Sequence, residues 1–285
     1  MPRGVAHMES IALGLSQGSV IPYFGPDALE LGQTAVPASQ ATLAEFMASK
    51  ASVPFKLRKN LTAAAQYIEN FKHRKTLTHI MSDAFNASAI PTSLRCTIAQ
   101  RYACPMIVDV WYDDLIQKAL ASRSNWGQVQ GVSHAEHPGH WYRFMHADGS
   151  IARDDEAGGW DTLLYKPLGS IAPEANFVVS DSDFVEILTE IDIQTPIPQA
   201  VRDRRTGRYF LFLGCRFNTQ IDRIVARQIM KRSSASHWAI LPDEPTRNEL
   251  RFLAEQNIQR IDVPLAEFAA ILHTAAEPNE VRPAS

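Results

Sequence analysis

The second half of the chain alternates segments typical of buried strands with segments typical of amphipathic helices, and this alternation limits the possible folds most strongly. The strand-like segments are apolar runs at 208–215, 237–242 and 258–263. A helical pattern follows each of them, at 219–232, 246–257 and 265–273. Because parallel strands need long crossover connections, which are usually helices, this order predicts a doubly wound, mostly parallel α/β sheet.

The first half of the chain continues the same architecture. Short apolar runs at 19–24 and 105–110 are typical of buried strands, and the amphipathic segments between them predict helices. We expect a Rossmann-like sheet with helices on both faces, in a single domain over residues 1–275, followed by a flexible tail at 276–285. Residues 122–161 are rich in Gly, His, Trp and acidic side chains and show weak periodicity, so we expect an inserted lid or small subdomain there, over the carboxyl ends of the strands.

Composition argues against several classes of function. The formal net charge of −3 gives no reason to expect nucleic-acid binding, and no apolar run approaches the ~20 residues that a membrane span needs. The three cysteines (Cys96, Cys104 and Cys215) form no CxxC pair, which suits reduced thiols. Since the first residues show no secretion signal, we expect a cytoplasmic protein that binds neither nucleic acid nor a membrane.

Four segments, taken in order, resemble those of one known family. They are SVIPYFGPDAL at 19–29, IVDVWYDDLIQKAL at 107–120, LLYKPLGSIAPEANFVVSDSDF at 163–184 and FLFLGCRFNTQIDRIV at 210–225. Together they resemble the Sir2-like family, whose members have a Rossmann-type NAD fold and act as NAD hydrolases or NAD-dependent deacylases. The resemblance implies cofactor contacts at the matching positions, which are Gly25, Asp27, Asp113, Gly169 and Gly214.

The first of these segments departs from the family in its phosphate loop. Gly25 is kept, but Pro26, Asp27 and Leu29 replace the Ala, second Gly and Ser of the family pattern. A phosphate loop works by offering backbone N–H groups to the pyrophosphate, and Pro26 has none. Asp27 adds a negative charge, and like charges ~4 Å apart cost on the order of 4 kcal/mol at an effective dielectric constant of about 20, roughly a thousandfold in affinity.

The reactive positions of the family are altered as well. Trp111 stands where the family has its reactive-site Asn, and Leu168 stands where it has its general-base His. An indole cannot accept a hydrogen bond, and leucine has no proton chemistry. Lys166 lies two residues before Leu168, but an amine with an ordinary pKa is a poor base near neutrality. The sequence therefore predicts no catalytic residues of the family's kind.

Three functions are open on this sequence, and the one we favour is a catalytically inactive Sir2-like factor that acts by binding another protein. Sir2-like proteins with such altered motifs are similar to one that is encoded among nitrogen-fixation genes and associated with nitrogenase. That resemblance implies the nitrogenase molybdenum–iron protein as the partner, in regulation, protection or assembly. The favoured function needs no cofactor. The second function is binding of NAD or ADP-ribose without cleavage, and the third is an NAD hydrolase with a rearranged site that uses Asp109, Asp113 or Lys166.

Three further groups of residues have both a functional and a structural interpretation. His134, His137 and His140 have a spacing that suits a metal, but a His-rich exposed loop explains them better, so we predict no metal site. Arg223 and Arg227 fall on one face of a predicted helix. They could form a docking stripe for an acidic partner or a solvent-exposed face, and we favour the exposed face. Trp126, Trp141 and Trp160 either pack residues 122–161 onto the sheet or leave an anchor such as Trp141 free for a partner.

Overall fold

The computed structural model describes residues 3–32, 35–87, 89–193 and 197–276. Its helices are α1 (Arg3–Ser16), α2 (Gln40–Lys50), α3 (Leu61–Lys72), α4 (Arg74–Phe85), α5 (Ser93–Arg101), α6 (Leu115–Leu120), α7 (Asp181–Ile193), α8 (Gln199–Arg205), α9 (Gln220–Met230), α10 (Arg247–Glu255) and α11 (Leu265–Ala275). Its strands are β1 (Val20–Phe24), β2 (Met106–Asp109), β3 (Trp126–Gly131), β4 (Tyr142–His146), β5 (Ile151–Ala152), β6 (Thr162–Lys166), β7 (Gly169–Ser170), β8 (Asn176–Phe177), β9 (Tyr209–Leu213), β10 (His237–Ile240) and β11 (Ile258–Ile261). The predicted tail, apart from Ala276, lies outside the described residues.

Nine of the strands in the described ranges form one sheet, in the order β11-β10-β9-β1-β2-β6-β3-β4-β5. The pairings from β11 to β3 are parallel, and the β3–β4 and β4–β5 pairings are antiparallel. The predicted doubly wound, mostly parallel sheet with helices on both faces is confirmed. No helix within the described ranges is long and apolar enough to cross a membrane.

The central strands are apolar on both faces because both faces are covered. In β1, Tyr23 belongs to the hydrophobic cluster on one face and Phe24 to the cluster on the other. In β9, Phe210 and Phe212 lie in the first cluster, whereas Leu211 and its neighbour Leu213 lie in the second. Successive residues of a strand point to opposite faces, so a strand buried on both sides reads as a continuous apolar run.

A third hydrophobic cluster joins α2, α3 and α4 to the segment that follows β2. Its buried members include Leu43 on α2, Ile68 on α3 and Phe85 on α4, together with Trp111 and Tyr112. Since the segment that follows β2 starts at the carboxyl end of that strand, these three helices cover this end of the sheet. They occupy the place that the sequence analysis gave to residues 122–161.

Residues 122–161 extend the sheet instead of forming a lid over it. β3 pairs with β6, and β4 and β5 continue beyond it to the edge. The strand β3, with the sequence WGQVQG, gives a weak signal because it buries two polar side chains, Gln128 and Gln130. Both amide groups donate to carbonyls, for example Gln130 Nε2 to the carbonyl of Glu174 at 2.8 Å. Trp126 and Trp160 are buried in this part of the sheet, and Trp141 is half-buried.

Candidate functional site

A cavity of about 660 Å³ opens at the carboxyl ends of β1, β2 and β9. β1 lies between β2 and β9 in the sheet, so the strand order reverses direction at β1. In doubly wound sheets, ligands bind at such a topological switch point. The walls are completed by the first residues of α2, α3 and α9. Apolar and aromatic side chains dominate the lining, among them Tyr23, Val110, Trp111, Leu168, Phe184 and Phe217. Its charged side chains are Asp27, Asp181, Asp222, Lys59 and Arg216.

The loop after β1 has no backbone N–H group left for a ligand between residues 25 and 28. Gly25 N–H donates to the carbonyl of Leu213 at 2.9 Å, Asp27 N–H to that of Gly214 at 3.1 Å, and Ala28 N–H to that of Gly25 at 3.3 Å. Pro26 has no N–H to offer. The loop is therefore closed by hydrogen bonds to itself and to the end of β9.

Gly25 and Gly214 are required by this closure. A Cβ at Gly25 would lie 2.3 Å from the carbonyl oxygen of Gly214. Gly214 has φ +63°, and a Cβ there would lie 2.1 Å from the nitrogen of Ala28. Both distances are far inside van der Waals contact, so the two glycines allow the β1 loop and the β9 loop to touch. This packing accounts for both glycines without a phosphate.

The diphosphate of NAD, which the resemblance implies, does not fit this loop. A diphosphate needs free N–H donors, and the donors of residues 25–28 already bond to protein carbonyls. The Asp27 carboxylate, which lines the same cavity, would add repulsion.

Asp27 is a carboxylate at the cavity wall whose surroundings disfavour its ionised form. Burial, assisted by the nearby carboxylate of Glu30, raises its pKa from 3.8 to about 6, and Arg216 opposes this only in part. Arg216 is itself held by both carboxylate oxygens of Glu249, at 2.9 and 3.1 Å, and by Asp243 at 3.0 Å. Within the described residues the Asp27 carboxylate has no hydrogen bond or ion pair of its own.

Trp111 and Leu168, which the resemblance matches to the family's reactive positions, both line the cavity. Trp111 is almost fully buried, and its indole Nε1–H donates to the carbonyl of Pro37 at 2.8 Å. Its ring packs edge-on against Phe85, with the centroids 5.8 Å apart. The only polar group of the indole therefore bonds to the segment that leads into α2. Leu168 contributes only apolar surface to the cavity.

Lys166, a candidate for a recruited reactive group, is fully buried and fully bonded. Its ammonium donates to Asp109 Oδ2 at 2.8 Å, to the carbonyl of Trp111 at 2.5 Å and to the carbonyl of Asp113 at 2.8 Å. An ammonium has three N–H groups, so none is left for a substrate. Asp109 is equally buried, and burial raises its pKa despite Lys166. This pair is structural.

Asp113 and Gly169, two of the expected cofactor contacts, lie behind the cavity wall and not on it. Asp113 Oδ1 accepts the N–H of Leu115 at 2.9 Å, and its Oδ2 lies 3.7 Å from the buried guanidinium of Arg95. Gly169 has φ +90° in β7, and a Cβ there would lie 2.1 Å from the carbonyl oxygen of Asn176. Of the five positions, only Gly25 and Asp27 line the cavity.

Sequence reasoning missed Asp222, which lines the cavity at the start of α9. Its carboxylate accepts hydrogen bonds from Gln40 Nε2 at 2.9 Å and from the Thr219 hydroxyl at 2.6 Å. Burial nevertheless raises its pKa. The signal was present, because Thr219 followed three residues later by an acid is a helix N-terminus pattern that places Asp222 beside the carboxyl end of β9.

The three histidines of the 134–140 segment do not converge on a common point. His134 stacks on Trp141, with the ring centroids 4.9 Å apart, and accepts the N–H of Gly139. His137 instead contacts Arg143 at 2.9 Å, and burial together with this cation lowers its pKa. In the part of the chain that the structure describes, no three His, Cys, Asp or Glu side chains form a group that could hold a metal ion.

The candidate partner-binding residues are held by contacts within the chain. Trp141 is covered on one side by His134. Arg223 donates to the carbonyl of Phe217 at 2.5 Å and to that of Asn218 at 2.9 Å. Arg227 lies 3.6 Å from Glu255 and over the ring of Phe252. Their part in binding a partner stays a prediction.

The fold and the cavity define a doubly wound α/β protein with its site at the switch point. The chain belongs to the SIR2-like domain family, whose model matches residues 105–261, more than half of the sequence. A solved structure described as "Structural Basis for the Mechanism and Regulation of Sir2 Enzymes" is similar over 95% of this chain and 98% of its own, at 11% identity and a TM-score of 0.45. Nothing about activity follows from similarity at this level. No curated protein matches the sequence.

Replacing Lys166 by Met should destabilise the fold by about 3–5 kcal/mol, because it leaves the buried Asp109 carboxylate and two carbonyls without their partner. Urea unfolding at pH 7.5 measures this loss. Lys118→Met is the matched control, since Lys118 forms an exposed pair with Asp114 at 2.8 Å and should cost less than about 1 kcal/mol. Equal losses in the two variants would show that the Lys166 pair is not structural.

Replacing Asp27 by Asn should stabilise the protein at pH 7.5. The folded pKa of about 6 lies above the ordinary 3.8, so the ionised carboxylate destabilises the fold above pH 6, and this effect fades as the pH falls from 6 to 3.8. The difference in urea midpoint between Asp27→Asn and the wild type should therefore be positive at pH 7.5 and shrink at pH 5 and below. Glu30→Gln, which removes an exposed carboxylate three residues away, should change the midpoint much less.

Proposed function

We propose that this chain is a SIR2-like protein that does not cleave NAD and acts by binding. The observation that carries the proposal is a cavity of about 660 Å³ whose reactive positions hold Trp111 and Leu168. A cavity of this size suits a small molecule, for which sites of ~300–1,000 Å³ are typical. The site therefore has room for a ligand, while its polar groups form hydrogen bonds within the protein.

The side chains that line the cavity support a site without catalytic activity. Cleavage in this family requires a reactive-site amide and a general base, and neither an indole nor an alkyl side chain supplies one. Lys166, the nearest amine, uses all three of its N–H groups inside the protein. The β1 loop offers no donor to hold the diphosphate in place for such a reaction.

NAD and ADP-ribose at 1 mM should leave the melting temperature unchanged, and long incubation with NAD should release no nicotinamide. A ligand that binds only the folded state raises the melting temperature, so a flat result reports the absence of binding. A competent SIR2 enzyme, run in parallel, is the positive control for both measurements. Release of nicotinamide by the pure protein above the buffer rate would overturn the proposal.

A second candidate function is binding of a protein partner through an exposed apolar surface. The 3₁₀ turn Phe55–Leu57 and the helix α7 both contact α3. Each of these three segments carries a large apolar side chain in solvent: Phe55 is 81% exposed, Phe71 66% and Val185 63%. Exposed apolar side chains that form one contiguous patch are typical of interaction sites, and the candidate assumes that these three form one. On the resemblance stated for the altered motifs, the partner would be the nitrogenase molybdenum–iron protein.

Purified molybdenum–iron protein passed over the immobilised chain tests this candidate directly. Retention should be lost when Phe71 and Val185 are both replaced by Ser, because the apolar contact area would be removed. Leu250→Ser is the matched control, since Leu250 is 51% exposed but lies on α10. No retention by the wild-type chain, or equal retention by all variants, would contradict this candidate.

A further inference from the structure

The cavity has an unbalanced charge at one wall, where Asp27 meets the end of β9. The groups that face Asp27 are the carboxylates Glu30, Asp243 and Asp222 and the guanidinium of Arg216. Arg216 is already paired with Glu249 and Asp243, so it cannot fully compensate Asp27 as well. The surroundings of this carboxylate are therefore negative.

The first turns of α2, α3 and α9 also line the cavity, and a helix N-terminus favours an anion. Each carries the equivalent of about half a positive charge, whereas a carboxylate carries a whole negative one. Asp222 lies in the first turn of α9 and bonds to Gln40 at the start of α2, so it offsets both of these helices. Lys59 and the start of α3 lie at an exposed part of the rim. Beside Asp27 the negative charge prevails.

The cavity also has an aromatic and apolar wall, although polar side chains such as Gln40, Asn60 and Asn218 line it elsewhere. Tyr23, Trp111, Phe184 and Phe217 line it together with Leu168. Aromatic faces attract organic cations, and apolar walls favour a ligand with a hydrocarbon or aromatic body. A carboxylate without a partner at the end of such a cavity lacks only the cation that would neutralise it.

We propose that the cavity binds an organic amine with an apolar body, whose ammonium group pairs with Asp27. The inference rests on the proposed function, because a cavity that held the diphosphate of NAD could not place an ammonium at the same loop. It reverses the charge of the ligand: the loop that holds a phosphate in the family pattern holds a cation here. The closed β1 loop and the Asp27 carboxylate are both explained by this change of ligand.

Three compounds with one indole body and different charge test the proposal. Tryptamine carries an ammonium, tryptophol a hydroxyl and indole-3-propionate a carboxylate. Calorimetric titration at pH 7.5 should show tryptamine binding at least tenfold more tightly than tryptophol, and indole-3-propionate most weakly. Equal binding of the three compounds, no binding of tryptamine, or a preference for the carboxylate would overturn the proposal.

Variants then locate the charge that the ligand recognises. Asp27→Asn should weaken tryptamine at least tenfold and leave tryptophol unchanged, because only the ammonium contacts the carboxylate. Glu30→Gln, the matched loss of a nearby charge outside the cavity lining, should change tryptamine much less. Equal losses in the two variants would also overturn the proposal. Cleavage of NAD would defeat the proposed function instead, so the two failures are distinguishable.

Discussion

The buried ion pair between Lys166 and Asp109 is the interaction on which the rest of the site depends. Lys166 ends β6 and Asp109 ends β2, and the same ammonium holds the carbonyls of Trp111 and Asp113. An ammonium is tolerated in a protein interior only when its charge and its N–H groups are satisfied. This requirement fixes the segment after β2, and with it the direction in which Trp111 points. Trp111 in turn anchors the helices α2–α4 through the carbonyl of Pro37.

The cavity that results lies at the switch point of the sheet and has a mixed lining of aromatic, apolar and polar side chains. The sheet and the covering helices, which Trp111 anchors, enclose its volume. Its polar groups form hydrogen bonds within the protein. The β1 loop bonds to the end of β9, and the indole of Trp111 bonds to the carbonyl of Pro37. Asp27 is the exception, a carboxylate in a costly environment with no hydrogen bond or ion pair among the residues that the structure describes. Ionisable groups with perturbed pKa values concentrate at functional sites.

Part of the site could be predicted from the sequence, because the relevant signals are local. The apolar run of β9 and the helix predicted at 219–232 placed the loop around Gly214, and Pro26 with Asp27 already argued against a phosphate. The role of Lys166 could not be predicted, since its three acceptors come from distant positions along the chain. The strand β3 was missed for a related reason. Its buried glutamines donate to carbonyls some forty residues away, and no local pattern reveals such partners.

The sequence by itself determined the class of fold, because continuous apolar strands that alternate with amphipathic helices can be buried only in a parallel sheet covered on both faces. It also places an indole and an alkyl group at the positions that the resemblance matches to the family's reactive residues. The tertiary structure alone decided that residues 40–85, and not 122–161, cover the carboxyl ends of the strands. It also decided that Asp113 and Gly169 lie behind the cavity wall. These outcomes depend on which surfaces meet in space, and the periodicity of a single segment carries no information about its neighbours.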